Sequence, residues 1–527
     1  MKKAYFILFL LLLGACEKWF HEEEISIGEI ESVAELESAV NGVYSFLAEV
    51  LMSENEGFYC PNIKGDDLSN EYPYYDNYWT EINTVNCSEQ QISNTYIKNE
   101  SYNWKCLYST IVSANNILVQ KKNIVEKNAS SLEILGEVFF LRAYCYFRLT
   151  RTYGRIPLID DIEIDYSIPP GTFVEIYQFI ENDFKSALKY LPDNNANARI
   201  PYVTPHRGTA KALLAELYLN WGGYPIGDKS KYEKATQIAG EVIDSAAYFG
   251  FELLEDFAFL WDKNHLYNSE SVFSLYFNNP ENTTVESEMN QAYRASIRDL
   301  QSLDSSDYAY YIHELGFYFF ATERNFYDLF PQGYRKEITF YTRNYLNSTN
   351  SIYHYKHSMC NIRLGYRKFF YDPFIYEFIF SYNGQNYSSY SYLGNSRTYL
   401  YRFVHTLLTF AEASARAGIL VQKSYDCVNY IRRRARNLDL YSTSIYDLQP
   451  GLSEQNFIDS VLWERAWELA GETEGRWFDL VRTQQVELLE QYRYNDEGGM
   501  PKYPLDEEDY YFSPPKEDQI LNPNLTF

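Results

Sequence analysis

The strongest pattern in the chain starts at residue 132. Leu135, Phe139, Tyr146 and Leu149 recur at helical spacing, and Arg142 falls on the same apolar stripe. The helix should stop at Tyr153-Gly154, where glycine accepts a left-handed cap and Pro157 follows shortly after. A guanidinium on such a stripe calls for a carboxylate from another helix, because burying it unpaired is costly. Thr172 and Glu175 form a capping box ahead of a helix over 173–190. Thr204-Pro205 places a cap and an N1 proline before an alanine-rich helix ending at Trp221. In that helix Ala210, Ala212 and Ala215 permit a close neighbour, and a second helix over 232–248 follows Gly222-Gly223. The two make a helical hairpin of the tetratricopeptide kind, with the small Ala215, the Leu217-Tyr218 pair and Ala235 at its seam. Further helices are predicted over 32–49, 399–417, 425–436, 456–470 and 473–489.

Between these helices the periodicity fails twice. Residues 53–103 and 271–398 are rich in Asn, Asp, Ser, Gly and Tyr, with β-prone pieces at 272–277 and 370–380, and they read as loop-rich excursions. The expected fold class is therefore all-α: a scaffold of tetratricopeptide-like hairpins over 31–52, 104–270 and 399–490 with irregular insertions, and an extended tail over 491–527. Residues 31–527 are read as a single domain.

Composition changes this picture in three ways. With 46 Lys+Arg against 72 Asp+Glu the formal charge is −26, and the one basic run, Arg432 to Arg434 with Arg436, is short, which argues against nucleic acid as a partner. The 52 Tyr, 34 Phe and 8 Trp are more rings than a helical core needs, so some are expected at the surface. At the start, Lys2 and Lys3 precede ten apolar residues, too few to span a bilayer, and Leu13-Gly14-Ala15-Cys16 resembles a bacterial lipobox. Residues 1–15 then form a signal peptide, Cys16 is the lipidation site, and the acidic stretch 16–30 is a tether; the membrane is reached through the lipid alone. Ordinary secretion with an incidental Cys16 is the alternative.

The six remaining cysteines are too sparse for a disulfide framework. His354, His357 and Cys360 lie close together but lack a fourth ligand, so no metal and no cofactor are assigned.

Several segments resemble the SusD/RagB family of outer-membrane lipoproteins from Bacteroidetes. Leu135-Gly136-Glu137-Val138-Phe139-Phe140-Leu141-Arg142-Ala143-Tyr144, continuing to Tyr153-Gly154-Arg155-Ile156-Pro157-Leu158, is close to the family's signature. Trp104 with Tyr108, Ile111, Ala114 and Asn115, residues 204–219, Tyr401-Arg402 with Ala411-Glu412-Ala413, and Ile431-Arg432 with Arg434-Ala435 match in order. Glu464-Arg465 with Glu468, then Glu474-Gly475-Arg476-Trp477-Phe478-Asp479-Leu480, resembles the C-terminal block. That block is one residue short between Gly475 and Arg476, and the tail carries Asp518 where Glu is usual. The resemblance implies four tetratricopeptide-like hairpins, excursions on one face, and a cell-surface protein that caps a SusC-like TonB-dependent transporter and delivers glycans, or in some members peptides. Arg142, Glu464, Arg476 and Asp479 read as helix-packing ion pairs.

A glycan surface needs flat rings that stack on the C–H face of sugars, bordered by groups that hydrogen-bond hydroxyls. Two clusters in the excursions supply them: Tyr74, Tyr75, Asn77, Tyr78 and Trp79, and then Tyr308, Tyr310 and Tyr311 followed by Phe317 to Phe320. The bland reading of each ring is packing beneath a loop. Two other classes stay in view. A glycoside hydrolase needs a carboxylate pair, which no motif singles out, and Glu464 with Glu468 beside Arg465 and Arg476 reads more simply as an ion-pair network. A structural lid for the transporter would bury the same aromatic clusters in a protein interface. The expectation is a non-catalytic receptor for an oligosaccharide or polysaccharide.

Overall fold

The computed structural model describes residues 29–50, 64–70, 97–120, 129–162, 165–276, 320–341, 365–366, 368, 374–382, 385–393, 397–492 and 507–525. Helix α1 (Val33–Glu49) opens on the Ser32/Glu35 capping box and buries Leu36, Val40, Val43 and Leu47, a single stripe at helical spacing. It packs on α2 (Ile97–Leu118), which packs on α3 (Ala129–Tyr153), then α4 (Phe173–Tyr190), α5 (Arg207–Gly222) and α6 (Ser230–Asp244) in series. The series continues through α9 (Phe403–Arg416) to α10 (Gln422–Arg434) and α11 (Glu454–Glu468). The antiparallel neighbours α1/α2, α3/α4, α5/α6 and α9/α10 are the hairpins expected of a tetratricopeptide-like array, and the all-α class holds.

Helix α3 is the centre of this array. Apart from its ends it is buried all round, so the stripe seen in the sequence is one face of a helix with two covered faces. Its tight packing shows at Gly136, where a Cβ would stand 2.7 Å from the backbone nitrogen of Leu191. The helix ends where expected: Gly154 takes φ +76° and its N–H donates to Thr150 O at 3.0 Å.

Several expectations are corrected. Helix α2 begins at Ile97, seven residues before the predicted start of the scaffold at 104, because extending an existing helix by polar turns costs little once Trp104, Leu107 and Ile111 anchor it. The cap of α5 is His206, whose Nδ1 accepts from the Gly208 N–H at 3.1 Å; Thr204 is instead engaged with Ile200. Residues 397–402 form a strand, β8 (Arg397–Arg402), not the first turn of α9. They pair antiparallel with β2 (Ser271–Tyr276), and both strands are buried almost throughout, which hides the two-residue period from the sequence. The helix predicted over 473–489 is broken into α12 (Arg476–Arg482) and α13 (Leu488–Tyr492) by Gln484 in the left-handed region. The tail is not simply extended: α14 (Lys516–Leu521) follows Pro515, and Phe512 and Leu525 are buried.

The second excursion also contains regular structure. Besides β2 it holds β3 (Phe320–Thr322), the short helices α7 (Arg324–Leu329) and α8 (Tyr334–Thr339), β4 (Phe340–Tyr341), β5 (Gly365–Tyr366), and a nine-residue ladder between β6 (Phe374–Tyr382) and β7 (Gln385–Leu393). Among the described residues Cys145 and Cys427 are buried free thiols, Cys106 is buried, and no helix is long and apolar enough to cross a membrane.

Candidate functional site

Tyr74, Tyr75, Asn77, Tyr78, Trp79, Tyr308, Tyr310 and Tyr311, with Cys16, His354, His357 and Cys360, lie outside the described residues. The structure does show where the two excursions meet. Strand β1 (Leu68–Asn70) pairs antiparallel with β3, with Asn70 opposite Phe320. Asn70, within the first excursion, thus lies beside Phe320, within the second. This junction is pinned to the C-terminal block: Arg476 Nε donates to Asp66 Oδ1 at 2.9 Å, the Gly471 N–H donates to Asp67 Oδ2 at 3.1 Å, and Glu323 N–H donates to Asp67 O at 3.0 Å.

Asp67 is held against its preference. Burial, and then the neighbouring Asp66 carboxylate, push it up to about 7 from an ordinary 3.8. The folded chain therefore keeps this proton over a range in which the unfolded chain has lost it. The consequence for stability has a definite sign: it falls as pH rises from about 4 to about 7. In thermal melts Asp67→Asn is expected to be the more stable form at pH 7.5, by on the order of 1–3 kcal/mol, with the difference narrowing as pH falls and closing near pH 4. A variant whose melting point tracks the wild type at both pH values would refute this.

Beneath the junction lies a buried lattice of charge. Arg402 donates to Glu270 at 2.6 Å, to Glu468 at 3.1 Å and through two nitrogens to Glu472 at 2.9 and 2.8 Å. Arg434 bridges Glu270 and Glu468, Arg335 bridges Glu464 at 2.7 Å and Glu468 at 2.8 Å, and Lys368 donates to Glu472 at 2.7 Å. Arg335 and Lys368 come from the second excursion, so the lattice ties that excursion to the scaffold. A second cluster joins Arg465 to Asp479 at 2.9 Å and Arg482 to both Asp479 and Glu412 at 2.6 Å. Arg465 and Arg476 are thus not the partners of Glu464 and Glu468 that their sequence proximity implied; long-range cations take that place. The basic run is spent internally too, Arg432 on Glu464, Arg433 on Asp447 and Arg434 on the lattice.

At Glu468 and Glu412 the electrostatics oppose proton transfer. Burial pushes Glu468 up, but Arg434, Arg402 and Arg335 together outweigh it and hold the carboxyl at about 2. Glu412 is likewise raised by burial and brought to about 2 by Arg482 and Arg416. A glycosidase needs one carboxyl kept protonated near neutral pH, the reverse of this state. The cavity at the second cluster, lined by Tyr144, Glu216, Tyr401, His405, Arg465 and Arg482, measures about 10 Å³, room for about one water.

Aromatic surface of the expected kind does occur where the scaffold leads into the second excursion. Phe259 stacks on His265 with centroids 4.1 Å apart and planes 16° apart, and Tyr267 stacks on Tyr276 at 4.9 Å and 25°. Phe259 and Tyr267 remain 39% and 49% exposed. Their backbone is fixed by Arg397, whose guanidinium donates to the carbonyls of Leu260, His265 and Leu266. Tyr276 is held by its hydroxyl, which donates to Tyr202 O at 2.9 Å. These rings are spread over 18 residues in two short 3₁₀ turns and a strand, with no periodicity to single them out. The only local cue is Asp262, whose carboxylate accepts from the Asn264 N–H at 2.8 Å to close a turn.

Comparison with known proteins places the whole assembly. The profile described as "Starch-binding associating with outer membrane" matches residues 21–219, and that of the SusD family matches residues 270–523. The chain belongs to the SusD/RagB family. Its SusD-like character extends over its full length: SusD-like protein P2 of Formosa agariphila is 25% identical over 99% of this chain and 98% of its own. In fold it is similar to a SusD superfamily protein from Parabacteroides distasonis, with a TM-score of 0.69 at 21% identity, covering 94% of this chain and 98% of the other. It is also similar to surface glycan-binding protein A from Bacteroides thetaiotaomicron, solved in complex with laminarihexaose, with a TM-score of 0.70 at 17% identity, covering 94% and 99%. In this SusD-like chain the residues that carried the sequence resemblance are scaffold. Arg142 pairs with Asp183, Glu464 with Arg335, Arg476 with Asp66, and Asp479 with Arg465 and Arg482.

Proposed function

We propose that this chain is a non-catalytic receptor at the outer membrane that captures an oligosaccharide and passes it to a SusC-like TonB-dependent transporter. The observation that carries the reading is family membership along the whole chain, joined to a neighbour of the same fold solved with laminarihexaose bound. The description of the N-terminal family profile supports the outer membrane as the location, and the Leu13-Gly14-Ala15-Cys16 sequence supports anchoring through a lipid on Cys16, facing the exterior. Residues 1–15 are then the signal peptide, 16–30 the tether and 31–527 one domain. The ion-paired state of Glu468 and Glu412 supports binding without turnover at the buried charge clusters.

Within this reading the ligand meets Tyr74, Tyr75, Asn77, Tyr78 and Trp79 from one excursion and Tyr308, Tyr310 and Tyr311 from the other. The pairing of Asn70 with Phe320 supports a shared site, since the first cluster begins four residues after Asn70 and the second ends nine residues before Phe320. The test is affinity electrophoresis of the full-length chain in detergent through gels containing single polysaccharides, with Trp79→Ala and Tyr310→Ala alongside. Retardation by a polysaccharide, weakened at least about tenfold in either variant as expected for losing a stacked ring, is the predicted result. Release of reducing ends by the protein alone would overturn the non-catalytic assignment. Migration unaffected by any polysaccharide would instead favour a peptide ligand or a lid role.

A further inference from the structure

We propose that Phe259 on His265 and Tyr267 on Tyr276 form a stacking surface for uncharged sugar rings, distinct from the Tyr74–Trp79 and Tyr308–Tyr311 clusters and selective against uronate or sulfated glycans. The inference rests on the glycan-receptor reading and narrows it to a ligand class and to named residues.

The geometry has the elements such a surface requires. In each pair one ring backs a face of the other, and Phe259 and Tyr267 are still 39% and 49% exposed. A supported ring loses little freedom when a sugar lies on it, so the stacking energy is retained as affinity. The support is rigid: Arg397 clamps the carbonyls on both sides of the intervening turn, and Asn268 Nδ2 donates to His265 O at 2.9 Å and to Tyr399 Oη at 2.8 Å. Polar side chains border the rings: on the turn between them Asp262 Oδ1 accepts from Asn264 N and Nδ2, and Asp262 Oδ2 pairs with His265.

The ligand class follows from charge. Arg397, the guanidinium that contacts this unit, is buried and both of its Nη atoms are committed to carbonyls, so it presents no fork to a carboxylate or sulfate. Asp262 is next to the rings, its Oδ2 paired with His265 Nδ1 at 2.8 Å, and over 252–267 Glu252, Glu255, Asp256 and Asp262 outnumber the one lysine, Lys263, with Glu252 and Glu255 exposed. With a chain charge of −26 these carboxylates repel an anionic polysaccharide and leave a neutral one unaffected.

The full-length chain in detergent is run through gels containing laminarin, starch, xylan or galactomannan as neutral probes, and alginate or polygalacturonate as anionic ones. Tyr267→Ala, Phe259→Ala, Tyr267→Phe and Tyr441→Ala are run beside it, the last removing a ring that is 71% exposed elsewhere on the surface. Retardation by a neutral probe is expected, weakened roughly tenfold by Tyr267→Ala and by Phe259→Ala and unchanged in Tyr267→Phe and Tyr441→Ala. Retardation by a neutral probe that the two alanine variants leave intact, or that Tyr441→Ala weakens equally, overturns the assignment of this surface while leaving glycan capture standing. Retardation by the anionic probes alone overturns the ligand class. No retardation of the wild type by any probe overturns glycan capture itself and this inference with it. A matching thermal melt for Tyr267→Ala confirms that a loss is not unfolding.

Discussion

Replacing Glu468 by leucine is expected to lower the stability of the fold by about 3–5 kcal/mol, the usual cost of removing one partner from a buried ion pair. Glu468 is fully buried and accepts from Arg335 at 2.8 Å, Arg434 at 2.7 Å and Arg402 at 3.1 Å. Its loss leaves these three guanidiniums with Glu270, Glu464 and Glu472, in a region no water can reach to compensate. The reading is a chemical-denaturation curve with unchanged slope and an earlier midpoint. Glu468→Gln should fall between, since it keeps the shape and loses the charge. A Glu468→Leu curve that superimposes on the wild type would show that the lattice contributes nothing net. The same carboxyl gives an acid dependence: held at about 2 when folded against an ordinary 4.5, it contributes stability that is complete above about pH 4.5 and lost as pH falls toward 2. Asp67 acts in the opposite sense at higher pH, so the chain should be most stable in mildly acidic solution.

The second large effect concerns Arg142. Its Nε and Nη2 donate to the two oxygens of Asp183 on α4 at 2.7 and 2.8 Å, and Nη1 donates to Asn115 Oδ1 on α2 at 2.7 Å, so one side chain joins three consecutive helices. The rings of Phe139 and Phe179 lie 5.8 and 4.9 Å from the guanidinium carbon. Arg142→Met alone should cost about 3–5 kcal/mol, because the Asp183 carboxylate stays behind without its bidentate partner. Asp183→Leu alone should cost about as much, for the converse reason. The double variant is expected to be more stable than either single one: the two charges leave together and apolar atoms fill the space between the rings. A deficit of about 1–3 kcal/mol should remain from Asn115 Oδ1, which loses its donor. Simple addition of the two single costs in urea unfolding would disprove the pairwise account.

Arg142 also marks the boundary between what could be read from the chain and what could not. Its position on an apolar stripe required a carboxylate from another helix, since a buried charge cannot stand alone, and that much is local chemistry. Which carboxylate answers, Asp183 at 41 residues' distance, is a matter of packing. The same division runs through the capping signals. Thr172 with Glu175 and Tyr153-Gly154 act through neighbours within four residues; the first opened its helix and the second ended its own as read. Thr204-Pro205 failed because the His206 ring competed for the same role. Tyr399 to Arg402 failed because a strand covered on both faces carries no alternation, and only its partner β2 makes it a strand.

The candidate site divides in the same way. The sequence by itself determined the family, the helical scaffold, the expectation of surface aromatics and the acidic balance, all of which depend on residue type and short-range spacing. Only the tertiary structure decided that the two excursions meet at Asn70 and Phe320, that Arg335 and Lys368 reach back into the Glu468 and Glu472 lattice, and that Phe259 and Tyr267 are backed by His265 and Tyr276. The physical reason is range. Caps, stripes and turns are written in contacts a few residues apart, whereas a stacked ring or a buried ion pair is defined by which distant segments packing brings within reach, and no spacing along the chain encodes that distance.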